Sequence, residues 1–71
     1  MSAHDLVRKC NDALRVGVDF PTVWHTIIRT DPMVVGPPVQ RLEEDHAYLE
    51  VPLLSGEWLV VDNEKRAASL R

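Results

Sequence analysis

The sequence predicts an α+β domain: two N-terminal helices packed on one face of a small three- to four-stranded antiparallel β-meander, spanning residues 1–71 as one unit. Three stretches carry that expectation. Ala3, Leu6, Val7, Cys10, Ala13 and Leu14 recur at helical spacing, and Phe20, Val23, Trp24, Ile27 and Ile28 do so again. Tyr48 to Asp62 is two apolar, β-branched runs around Ser55-Gly56, the pattern of a β-hairpin whose glycine supplies a positive φ.

The first helix is expected over about residues 3–16. Ser2 stands as N-cap with Asp5 three positions later, near the positive end of the helix dipole. Gly17 follows as a left-handed stop, with Val18 placed to fold back as in a Schellman motif. The second helix is expected over about 21–30, opened by Pro21 and ended by Asp31-Pro32, although its load of β-branched residues lowers intrinsic propensity. Met33 to Val39 holds Gly36-Pro37-Pro38, which suits an extended connector along the core edge.

Strands are expected near 39–42, 47–54 and 57–62, with an acidic turn at Glu43-Glu44-Asp45-His46. Residues 65–71 fit a short fourth strand, a helical turn capped by Asn63 or a frayed end. The central hairpin has two candidate registers. A two-residue Ser55-Gly56 loop would set Leu53 opposite Trp58 and put Trp58 on the core face. A longer loop with glycine as a bulge would set Val51 opposite Leu59 and Leu49 opposite Val61. The bulged register is preferred, because it gathers the aliphatic residues on one face and sends Tyr48, Glu50, Trp58, Val60 and Asp62 to the other. Pro52 cannot donate to a ladder, so its strand must be an edge there or outrun its neighbour.

A 71-residue domain buries only about 60% of the surface its unfolded chain exposes, and its core supplies roughly 3–5 kcal/mol. Cys10 is the only cysteine, so no internal disulfide can help, and self-association is expected to. At 45% hydrophobic and 27% charged the chain has a globular composition, with no apolar run near the roughly 18 residues of a membrane span. With a lone thiol and no signal-like segment, it reads as a soluble, cytoplasmic protein. The net charge of −3 is uneven: residues 1–30 carry four Lys/Arg against three Asp/Glu, residues 31–64 one against eight, and residues 65–71 three against none. An acidic sheet repels phosphate.

No stretch spells out a reaction. His4, His25 and His46 lie on different elements without a local ligand pair, and Cys10 sits inside the apolar stripe. Gly17, Gly36 and Gly56 are too scattered for a phosphate cradle, and Glu43, Glu44 and Asp45 lie in a solvated turn. No catalytic, metal or cofactor-binding residue is assigned, and no cofactor is expected. The chain is instead expected to be a non-enzymatic protein-interaction module, self-associating as a homodimer or meeting another protein through Tyr48, Leu54, Trp58 and Val60. The alternative is a helix-turn-helix-like nucleic-acid-binding regulator with Thr22, His25, Thr26 and Arg29 as the reading face. One cation on that face disfavours it.

Overall fold

Capping at both ends sets the first helix, α1 (Ala3–Arg15). The Ser2 hydroxyl accepts from the Asp5 N–H at 3.1 Å. At the other end the Val18 N–H reaches the Ala13 carbonyl and the Gly17 N–H reaches the Leu14 carbonyl, the paired bonds of a Schellman motif. Gly17 has φ +93°, which a side chain would strain.

The computed structural model describes Ser2–Arg71. After α1 come α2 (Phe20–Val23), a π-helical run (Trp24–Ile28), and strands β1 (Val39–Glu43), β2 (His46–Pro52), β3 (Trp58–Asp62) and β4 (Ala67–Leu70). The four strands form one antiparallel sheet in the order β1-β2-β3-β4, and the helices pack on one of its faces.

The single second helix expected over 21–30 is thus divided. Asp19 caps α2, its carboxylate accepting from the Thr22 N–H at 2.9 Å, a bond that holds Asp19 below the ordinary carboxylate range. Beyond Val23 the ladder widens, with the Arg29 N–H bonded to the Trp24 carbonyl five residues back. The cause lies in the threonines. The Thr26 hydroxyl takes the Thr22 carbonyl at 2.7 Å, and the Thr30 hydroxyl reaches the carbonyls of Thr26 and Ile27. Side chains competing for i−4 carbonyls, on a β-branched segment, loosen the α ladder.

The hairpin adopts the bulged register, with Leu49 opposite Val61, Glu50 opposite Val60, Val51 opposite Leu59 and Pro52 opposite Trp58. Its loop is Leu54-Ser55-Gly56: the Gly56 N–H bonds the Leu53 carbonyl, the Leu53 N–H bonds the Glu57 carbonyl, and Gly56 has φ +90°. Expected strand limits shift by a residue or two, since β2 starts at His46 and its regular pairing stops at Pro52. Pro52 points its missing donor toward β1, which has already ended. Only its carbonyl is used there, by the Val35 N–H. Val34 pairs with Leu53, so the proline-rich connector runs extended along the sheet.

Residues 67–70 form a fourth strand rather than a helical turn or a frayed end. The four-residue turn Asn63–Arg66 is closed by Asp62, whose carboxylate accepts from the N–H groups of Glu64 and Lys65. The core joins Ala3, Leu6, Cys10 and Leu14 of α1 to Val23 and Ile28 of the second helical segment and to Val51, Leu53, Leu59, Val61 and Ala68 of the sheet. A fully buried Val, Leu or Ile contributes about 1.5–3 kcal/mol. Cys10 is one of these packing residues, and burial, reinforced by the charge of Asp31, pushes its thiol up to about 11.

Candidate functional site

With Leu49, Val51, Leu53, Leu59, Val61 and Ala68 turned toward the helices, strand alternation sends every other side chain to the opposite face, which no helix among the described residues covers. That open face carries Arg41 and Glu43 from β1, His46, Tyr48 and Glu50 from β2, Trp58, Val60 and Asp62 from β3, and Ala67 and Ser69 from β4, with Arg71 just beyond. Of the residues expected to form a contact surface, Tyr48, Trp58 and Val60 are together here. Leu54 stands apart at the hairpin tip, 70% exposed.

A polar network shields much of this face. Glu50 is only 5% exposed, although no second layer among the described residues lies above it. Its two oxygens accept from Arg41 Nε and Arg71 Nη1, each at 2.7 Å. Arg71 also donates to the Tyr48 hydroxyl at 2.9 Å, and that hydroxyl donates to Glu43 at 3.1 Å. With both Glu50 oxygens bound by arginines, long amphipathic side chains take the place that a helix has on the other face. Tyr48 is therefore 9% exposed, while Trp58 and Val60 are half-buried.

Beside the network lies a shallow groove of about 430 Å³. Val60, Ala67 and Ser69 are its small side chains, and Tyr48, His46, Lys65 and Arg71 stand taller around it. His46 is clamped between two carboxylates, Nε2 against Asp62 at 2.6 Å and Nδ1 against Glu64 at 3.1 Å. The hydrogen bonds to Glu64 and then Asp62 raise its pKa above the ordinary histidine value. Asp62 lies below the usual carboxylate range: desolvation opposes this, but the Lys65 N–H, His46 and the Glu64 N–H outweigh it. Each cation on the groove's rim other than Lys65 has a carboxylate or hydroxyl of its own.

The residues of the helix-turn-helix alternative, Thr22, His25, Thr26 and Arg29, are all exposed on the second helical segment. The Thr26 hydroxyl donates to the Thr22 carbonyl, and the His25 carbonyl accepts from Arg29. The three histidines remain on separate elements, and no group of three or more metal-capable side chains is found among the described residues. No helix among the described residues is long and apolar enough to cross a membrane. Sequence reasoning missed Glu50, because an acidic residue on a strand's open face reads as solvated. It also missed Arg71, the partner that makes its burial tolerable. No protein-family model, curated protein or solved structure matches the chain.

Proposed function

We propose that this chain is a small non-enzymatic protein-interaction module that self-associates, working in a reducing compartment such as the cytoplasm, with the open face of the sheet as its contact surface. The supporting observation is the combination of half-buried Trp58 and Val60 with a groove floored by small side chains, on the one sheet face that the helices leave uncovered. Aromatic anchors beside a concave, partly apolar surface are what protein contacts use, and the preorganised Arg41-Glu50-Arg71 network supplies a polar rim without further ordering cost.

Burial yields about 25 cal/mol per Å² before association costs, so a patch of this size gives a weak contact. Sedimentation of the wild type and of Trp58→Ala tests the reading. The expected result is a folded variant with a lower weight-average mass at high concentration. A wild type that stays monomeric at high concentration, with a Trp58→Ala variant that unfolds, would make Trp58 a core residue and remove the reading. The nucleic-acid alternative ranks below it, since the exposed helical face offers Arg29 as its one cation. No binding to duplex DNA is expected at moderate ionic strength, and salt-sensitive binding weakened by Arg29→Ala would reverse that order.

A further inference from the structure

The sheet has two edges, and the chain treats them differently. On β4 the outward-pointing N–H and C=O of Ala68 are both taken by the Asn11 side chain. On β1 the outward groups belong to Gln40 and Leu42, since Val39, Arg41 and Glu43 face β2 in the ladder. All of β1 from Gln40 onward is exposed, and Leu42 is 75% exposed. An open edge of this kind is a template for another strand.

We propose that β1 pairs antiparallel with β1 of a second copy, centred on Leu42, to make a continuous eight-stranded sheet. This contact is separate from the open face described above. The choice of partner follows from the registers that the edge allows. An antiparallel neighbour must bring its own outward-pointing groups opposite Gln40 or Leu42, so a two-fold axis can pass through Gln40, Arg41 or Leu42 in the body of the strand; the Leu42 axis sets Gln40 opposite Glu44 of the β1–β2 turn and leaves the Leu42 pair to carry the backbone bonds. Centring on Gln40 sets Pro38, which has no N–H, opposite Leu42. Centring on Arg41 sets two guanidinium groups face to face. Centring on Leu42 sets Arg41 opposite Glu43 of the second copy and Glu43 opposite its Arg41, two ion pairs related by symmetry.

The side chains retain the atoms such pairs need. Glu50 uses Arg41 Nε and Tyr48 uses Glu43 Oε1, while the terminal nitrogens of Arg41 and Oε2 of Glu43 have no hydrogen bond among the described residues. On the helix side the two Leu42 side chains would meet, in a hydrogen-bonded pair with Cα atoms about 5.5 Å apart. The N–H and C=O of each Leu42 would then be satisfied by the other's.

Amide exchange tests this without any substitution. The Leu42 N–H is expected to exchange at least tenfold more slowly at millimolar than at low micromolar protein, while the Glu57 loop shows no such dependence. Equal Leu42 exchange at both concentrations overturns the proposal. The same measurement on Trp58→Ala separates the two surfaces, since losing the open-face contact leaves Leu42 protection in place. Crosslinking then checks the register: oxidised Leu42→Cys should form a disulfide dimer, its Cα spacing lying within the allowed range, whereas Ala47→Cys, one strand inward on the same face, should not. Native Cys10 is buried and does not compete. Glu43→Arg should abolish the Leu42→Cys crosslink, and adding Arg41→Glu should restore it. A crosslink indifferent to these charges would also overturn the assignment.

Discussion

Asn11 on α1 holds the backbone of Ala68 on β4 from both sides, Nδ2 donating to its carbonyl at 3.0 Å and Oδ1 accepting its N–H at 2.7 Å. The amide group stands in for a fifth strand over one residue. It closes the β4 edge where α1 crosses it and ties the N-terminal third of the chain to its last strand, 57 residues away.

Asn11→Ala should therefore destabilise far more than an ordinary substitution on the polar side of a helix. Ala68 is buried, so its donor and acceptor would lose their partners, at a cost of about 2 kcal/mol. In a domain of this size that lowers Tm by about 8–16 °C, readable by thermal circular dichroism. Asn11→Asp keeps the acceptor but sets a carboxylate against the Ala68 carbonyl, so it should fare no better at neutral pH. A Tm within 2 °C of wild type for both variants would rule out this role for Asn11.

The Glu50 network leads to a test of non-additivity. Arg41 and Arg71 are each about half exposed, so solvent screens either ion pair and a single Arg→Ala change should cost little. Removing both arginines strands a carboxylate that is 5% exposed, and breaking a buried pair in this way costs about 3–5 kcal/mol. Denaturant titration of the four proteins in the cycle should show a coupling energy above about 1 kcal/mol. Simple additivity would mean that Glu50 finds water once one arginine is gone.

Local chemistry made much of this fold legible. The Ser2 cap, the Gly17 stop and the bulged hairpin each depend on residues within a few positions of one another, and the register follows because a one-residue slip would turn Val51, Leu59 and Val61 out of the core. The π-helical run depends on how Thr26 and Thr30 use their hydroxyls, which periodicity does not report. From the sequence, the open face is a contact surface of Tyr48, Trp58 and Val60 beside the acidic Glu50 and Asp62. Its actual surface depends on Arg71 crossing to Glu50 and Tyr48, residues 21 and 23 positions away, and no spacing rule joins them.

The β1–β2 turn offers a stabilising change. Glu44-Asp45 joins Glu43 to His46, and Glu44 has φ +52°, in the left-handed region that costs a side chain about 1–2 kcal/mol. Glycine relieves that strain but loses more freedom on folding, by about 0.4–1 kcal/mol. Glu44→Gly should therefore raise stability by about 0.5–1 kcal/mol, seen as a higher denaturant midpoint at unchanged slope. A lower midpoint would show that the turn does not hold Glu44 in this conformation.

His46 makes stability depend on pH, and its geometry fixes the sign. Both ring nitrogens face carboxylates, so the imidazolium with two donors is the form that satisfies Asp62 and Glu64 together. The folded pKa lies above the unfolded value of about 6.5, so the stabilisation is fully present below that value and is lost as pH rises through the folded pKa. Its effect should be a fall in Tm as pH rises above about 6.5, absent in His46→Gln. Glu64→Gln and Asp62→Asn should each lower the His46 titration midpoint, followed through its ring proton shifts. Asp62→Asn carries a second consequence, because the same carboxylate closes the β3–β4 turn through the N–H groups of Glu64 and Lys65. That variant should lose stability at every pH, whereas Glu64→Gln should lose it only where His46 is charged. Identical pH profiles for the two would mean that the clamp and the turn are not separate functions of these carboxylates.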